Sequence, residues 1–377
     1  MMKHFNTFIF ISLLTLVLVN VASASSINRH DISPRQMAMG GAFSAQVNTS
    51  AAMAINPAGM ALKDGTDYDM GEFFMSYTQV PELPVTEQSS TEDVLAFLWA
   101  KRYTTWTIGA GLYDRSSIQF EYEEQVGEDT VTKSTQLGAY DISVYLAYAM
   151  TEKFKLGGTL KISSLSTEHK DSAGSSIEDE VYSVRLGAKY FVLDTPIDFS
   201  SSAMYLAWAL AAAYEPKSEF SPFAELAKHP LKDTKITGLP QEFLVGSHLT
   251  FGWIFESFSF VLNLNSDLSQ ANYSGLAELL VPASEYKNIE LTKKMLGAEL
   301  LFNASGSAVT YAMRAGISDQ TSNIDDAFDE KMISAGVGVS SKNLFLDLSV
   351  QKEVLPETAF DNRKAKMNVA LALGVSF

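Results

Sequence analysis

Cysteine is missing from all 377 residues. Its absence excludes disulfides, thiolate nucleophiles, thiolate metal sites and a cysteine-linked lipid anchor. Histidine is scarce, with five in the chain. His4, His30, His169 and His229 fall outside the strand-like segments defined below, and no serine motif frames His248, so the Ser–His pair of a hydrolase has no candidate. The acidic clusters lack the Asp/Asn-Gly spacing of a dedicated calcium loop. Neither an enzyme, a metal nor a cofactor is expected. Positive charge is also in short supply: 28 Lys and Arg stand against 44 Asp and Glu, for a net −16. Nucleic acid, bound by neutralising phosphates with Lys and Arg, is thereby excluded as a partner. After residue 24 no apolar run approaches the ~18 residues of a spanning helix, which excludes a helical inner-membrane protein.

Both ends of the chain carry a pattern. Lys3 and His4 precede an apolar stretch from Phe8 to Val19, and Ala22-Ser23-Ala24 follows. A charged n-region, an h-region and a small-residue cleavage site make residues 1–24 a secretory signal peptide. At the far end Met367, Val369, Leu371, Leu373, Val375 and Phe377 alternate with Asn368, Ala370, Ala372, Gly374 and Ser376. A period of two marks a strand with chemically different faces, and about ten tilted residues cross a bilayer core. Ending there on an aromatic, the chain reads as a barrel closing its last strand.

After residue 66 the sequence divides into fourteen alternating segments: 67–77, 94–103, 105–114, 138–150, 153–164, 181–192, 202–214, 242–254, 257–267, 290–302, 308–318, 331–340, 343–353 and 367–377. The connections between them alternate strictly between short and long. Short periplasmic turns and long extracellular loops are the pattern of a transmembrane barrel, and mean hydropathy close to zero suits it. That assignment puts the acidic clusters around Glu121–Asp129, Asp171–Glu180 and Asp319–Glu330 outside, where they read as solvated loops. Charge on the lipid face at mid-membrane costs about 2–4 kcal/mol, so Lys155, Lys161, Arg185, Lys189, Glu299, Arg314 and Asp347 are expected to point inward. Trp99, Tyr103, Trp106, Tyr148, Trp208, Tyr214, Trp253 and Phe377 are expected near strand ends, as interfacial belts.

Residues 25–66 do not alternate. They contain Pro34-Arg35-Gln36-Met37-Ala38-Met39-Gly40-Gly41-Ala42-Phe43 and Ala51-Ala52-Met53-Ala54-Ile55-Asn56-Pro57-Ala58-Gly59-Met60. Small residues permit close backbone packing, and glycine supplies turn conformations. Pro57 disfavours helix at Asn56, and Gly59 ends the turn. So apolar a stretch is expected to bury itself in the lumen. The expected class is all-β: a 14-stranded antiparallel transmembrane β-barrel over 67–377, with an N-terminal hatch, 25–66, inside the lumen.

The Met-Gly-Gly-Ala-Phe and Asn-Pro-Ala-Gly-Met runs, together spanning Pro34 to Met60, resemble those of the outer-membrane long-chain fatty-acid transporter (FadL-type) superfamily. The resemblance implies a hatch gated around Asn56, Pro57, Ala58 and Gly59, with Gly40, Gly41 and Phe43 in its first turn. In transporters of that family hydrophobic ligands enter from outside, bind near the hatch and leave sideways through a gap in the wall. The implied function is passive transport of a hydrophobic small molecule, of long-chain fatty acid or hydrocarbon type, across the outer membrane of a Gram-negative bacterium. Lipid and lipopolysaccharide would surround the barrel. Apolar loop residues Phe220, Phe223 and Leu226, with Leu276, Leu279 and Leu280, are the candidate ligand groove, on short helices over the mouth. Similar N-terminal signatures occur in secretion-associated barrels and TraF-like conjugal-transfer proteins, so a non-transporting barrel that binds secretion or conjugation partners is the alternative. An open porin is the other transport reading, and some forty buried residues argue against it.

Overall fold

The computed structural model describes residues 33–61, 68–79, 91–126, 129–170, 176–199, 202–220, 236–274, 288–323, 329–341, 343–354, 365 and 367–376. The expected signal peptide, residues 25–32 and 62–66, and Phe377 lie outside them. The first strands are β1 (Tyr68–Gln79), β2 (Thr91–Arg102), β3 (Trp106–Val126) and β4 (Asp129–Ala149). Then come β5 (Phe154–Lys170), β6 (Ser176–Phe199), β7 (Ser202–Glu215), β8 (Ser218–Phe220) and β9 (Ile236–Leu239). The rest are β10 (Gln241–Ile254), β11 (Phe258–Ser274), β12 (Asn288–Ala304), β13 (Thr310–Ser322), β14 (Glu330–Ser340), β15 (Leu344–Glu353) and β16 (Met367–Ser376).

Fourteen of these form a closed antiparallel barrel, each paired with its neighbour in sequence except that β7 pairs with β10. Strands β8 and β9 form a separate two-stranded sheet between them. Closure is made by β1 on β16, in register from Met70↔Ser376 to Gln79↔Met367. It joins the first strand to the last, so the sheet closes on itself as one in hydrocarbon must.

Period-two chemistry sets the faces. Lys155, Lys161, Arg185, Lys189, Glu299, Arg314 and Asp347 are all buried in the interior, as expected. Their neighbours in sequence, among them Leu156, Leu160, Leu186, Leu300 and Met313, are exposed on the outside. In β16 the small residues Ala370 and Ala372 are buried, whereas Met367 and Leu373 are exposed.

Each of the fourteen expected segments overlaps one wall strand, but several strands run further than alternation indicates. The expected loop 115–137 is a hairpin, paired from Ser116↔Ala139 to Val126↔Asp129 after a bulge between Asp114 and Ser116. The acidic residues Glu121, Glu123 and Glu124 therefore sit on paired strand, because carboxylates beyond the bilayer do not oppose backbone pairing. The expected turn Leu193–Ser201 likewise belongs to the β6–β7 hairpin, which runs to Phe199↔Ser202 past a bulge at Phe191/Leu193. Trp208 lies in the middle of β7 rather than near its end, and its Nε1 donates to Ser247 Oγ at 3.0 Å.

Candidate functional site

Residues 33–61 hold two short helices, Pro34–Ala38 and Ala52–Ile55. Too short to bury a face of their own, they are satisfied by side chains that point inward from the strands. Gly40 and Gly41 turn the chain with φ of 65° and 88°, conformations that favour glycine. Past Ala42, Phe43 N and Ser44 N donate to Asp267 Oδ2 at 2.9 and 2.7 Å. Ser50 Oγ and Ala51 N both donate to Glu72 Oε2. The carbonyls that end the second helix are taken up by the wall: Thr159 Oγ1 donates to Met53 O at 2.7 Å, and Arg185 Nε to Ile55 O at 2.8 Å.

The second signature forms the turn its composition indicates. Asn56 is extended, with φ −141° and ψ 104°, and Gly59 N donates back to Asn56 O at 2.9 Å. Asn56 Oδ1 accepts from Ala58 N at 3.1 Å, and its Nδ2 donates to Ser44 O and to Ala188 O. One side chain thus closes its own turn, ties the two signatures together and reaches β6. All of Gly40, Gly41, Phe43, Asn56, Pro57, Ala58 and Gly59 are buried.

The wall residues that receive these turns carry no signal in the sequence reading. Gly157 and Gly187 face each other across β5 and β6. A Cβ on Gly157 would run into Pro57 and Ala58, and one on Gly187 into the Asn56 amide. Gly297 and Gly316 form a second cross-strand pair, between β12 and β13, and a Cβ on either would meet the backbone of Met39. Each signature turn therefore sits on a bare patch of wall. A glycine in a strand ordinarily reads as a weak point, so the patches become legible only once strand pairing is known.

Two charge networks flank these patches. Glu299 accepts from Arg35 Nε and Nη2 (2.8 and 2.7 Å), Arg314 Nε (2.7 Å), Asn263 Nδ2 (2.9 Å) and Gln46 Nε2. Arg314 Nη1 also donates to Asp347 Oδ1 at 2.6 Å. Burial opposes the charge on Arg35, but the carboxylates of Glu299, Asp347 and Glu72 together outweigh it and hold this guanidinium above its ordinary value. In the second network Arg185 Nη1 bridges Glu215 and Glu242 at 2.9 and 2.7 Å, while Lys161 Nζ binds both oxygens of Glu215. Each network matches two cations with two carboxylates.

Two spaces adjoin the segment. Arg102, Thr310, Ser340 and Phe345 lie at strand ends joined by the short connections, and with Arg35 and Asp347 they line a polar cavity of about 420 Å³. Toward the long connections β11 and β12 turn apolar residues inward. Ala271 pairs with Leu291 and Tyr273 with Ile289 across β11 and β12, and all four are buried, as are Leu244 and Met332. This stripe was not anticipated, because its residues share their strands with serines and lysines. The expected groove fares differently. Phe220 belongs to β8, whose Phe220↔Ile236 pairing with β9 makes this part of the loop strand rather than helix. Phe223, Leu226, Leu276, Leu279 and Leu280 lie outside the described residues. Among the described residues no group of three or more His, Asp or Glu is placed to hold a metal ion.

No protein-family model and no curated protein sequence matches the chain. Solved structures do. The Ralstonia pickettii toluene transporter TbuX matches with a TM-score of 0.50 at 13% identity, over 91% of this chain and 97% of that one. A TodX deltaS2S3 mutant monoaromatic hydrocarbon channel matches with a TM-score of 0.50 at 14% identity, over 91% and 98%. The P. putida toluene transporter TodX matches at 0.49 and 14% identity, over 92% and 98%. The chain shares the barrel fold of TbuX and the TodX variant. At such identities the likeness fixes the barrel architecture, and the chemistry of the interior must be read from this chain's own residues.

Proposed function

We propose that the chain is a passive outer-membrane transporter of hydrophobic compounds, with residues 33–61 acting as a hatch. The observation that carries this reading is the juxtaposition of the buried segment with an apolar inward stripe on its long-connection side. A hydrophobic ligand gains about 25 cal/mol per Å² by leaving water, and the stripe Tyr273–Ile289–Leu291, buried in this arrangement, would offer it such a surface once opened. Beyond the segment the polar, charged cavity would reverse that gain. The ligand is therefore released sideways into lipid rather than straight through. The outward leucines and aromatics face outer-membrane lipid, with lipopolysaccharide in the outer leaflet, and no step requires catalysis. Differential affinity of the ligand for two arrangements of the segment would set the gating response.

Toluene and long-chain fatty acid are the two substrate types to compare first. Uptake of each, radiolabelled, by cells carrying or lacking the protein is the test. Faster entry of one or both in the carrying cells supports the proposal. Equal entry across a panel of aromatic and aliphatic compounds would falsify it.

A further inference from the structure

The base of the apolar stripe is not apolar. Gln36, Arg185, Glu242, Leu244, Ser269 and Met295 line a small notch of about 10 Å³ between the two short helices and the wall. That is close to the space of a single water-sized group. Among the described residues the buried amide oxygen of Gln36 has no hydrogen-bond partner, and the residue is only 2% exposed. Its surroundings are otherwise satisfied. Glu242 Oε2 holds Arg185, Glu242 Oε1 accepts from Ser269 Oγ at 3.1 Å, and Arg185 also holds Glu215. Leu244 and Met295 line the notch, and Met295 is buried on the same face of β12 as Leu291 and Ile289.

We propose that this notch binds the head of a neutral, hydroxyl-bearing amphiphile, a long-chain alcohol or alkylphenol, whose apolar body lies along Leu244, Met295 and Leu291. The inference rests on the transport reading and specifies its substrate class. A pure hydrocarbon leaves the Gln36 amide unanswered. A carboxylate brings a third negative charge beside Glu242 and Glu215, whose cations are already engaged. A hydroxyl both donates and accepts, so it satisfies the amide whichever of its ends faces the notch.

Decane, 1-decanol and decanoate share their carbon count and differ only at the head. Each is titrated against purified, detergent-solubilised protein holding N-phenyl-1-naphthylamine, with partition into micelles measured in parallel. Decanol is expected to displace the dye at roughly 5–10-fold lower free concentration than decane, the size of one net neutral hydrogen bond. Decanoate should do no better than decanol, and Gln36→Leu should erase the alcohol's advantage. The wild-type comparison decides even if that variant fails to fold. Equal displacement by decane and decanol, tighter displacement by decanoate, or an advantage that survives Gln36→Leu overturns the head-group assignment and leaves transport standing. Displacement by none of the three overturns both.

Discussion

Two adjacent glycines in β5 face opposite ways, and they separate packing from backbone effects. A Cβ at Gly157 meets the carbonyl of Pro57, whereas a Cβ at Gly158 reaches only the far end of Leu186 at 3.7 Å. Both substitutions to alanine change helix and strand propensity alike. Gly157→Ala is expected to destabilise by about 1–3 kcal/mol, the usual cost of overpacking, while Gly158→Ala stays near wild type. Thermal unfolding of the folded barrel, read as the heat-dependent gel shift, checks both. Equal behaviour of the pair would remove the close fit between the turn and the wall. Glu299 makes a different residue-scale test, because its loss leaves Asp347 as the only carboxylate ion-paired with either Arg35 or Arg314 among the described residues. Glu299→Gln should therefore cost about 3–5 kcal/mol, as breaking a buried network does. Adding Arg35→Met restores the balance of one cation to one anion and should recover more than half of the loss in the same assay.

At the scale of elements, one charge network is complete within the wall and the other draws one of its two cations, Arg35, from the N-terminal segment. Lys161, Arg185, Glu215 and Glu242 all belong to strands, and so do Arg314, Glu299 and Asp347. Removing residues 34–60 takes Arg35 and Gln46 away from Glu299 and the donors away from Asp267 and Glu72, but it leaves Arg314 paired with Glu299 and Asp347 and the Lys161–Arg185–Glu215–Glu242 network whole. Such a deletion should still assemble a heat-modifiable barrel, and in planar bilayers it should show large, steady conductance where the full chain shows little. A deletion variant that conducts like the intact protein would sink the hatch assignment. The same division explains what was legible in the sequence. The two-residue period gives faces and strand number because lipid and lumen impose opposite chemistry on alternate residues. The Asn56–Gly59 turn is legible because Pro57 restricts its own backbone locally. Strand ends were not legible where Glu121 or Asp194 continue a hairpin past the bilayer, since nothing there penalises charge. Gly157, Gly187, Gly297 and Gly316 acquire meaning only from partners far away in sequence.

For the whole molecule, the question is where a closed wall lets a ligand out. The ladder between β2 and β3 is the shortest in the barrel, from Arg102↔Thr107 to Ala96↔Tyr113. Past that point β2 continues against β1 to Thr91↔Gln79, and β3 continues against β4 to Val126↔Asp129. The two strands thus run on without pairing to each other, and β3 bulges just there, between Asp114 and Ser116. A break in pairing costs several kcal/mol per orphaned backbone group in hydrocarbon unless it serves a purpose. On the transport reading, the sideways opening that the family resemblance implies is expected at this seam. The chain's lack of cysteine makes the test clean, because a cysteine pair at Leu95 and Asp114, the next positions in register, has no native thiol to compete with. Oxidising that pair in cells should reduce uptake of a transported hydrophobic compound at least several-fold, and reductant should restore it. A control pair at Val375 and Leu344, partners in the intact β15–β16 ladder, should leave uptake unchanged under either condition. If closing Leu95 to Asp114 has no more effect than the control, the ligand leaves elsewhere and the seam is only a weakness in the wall.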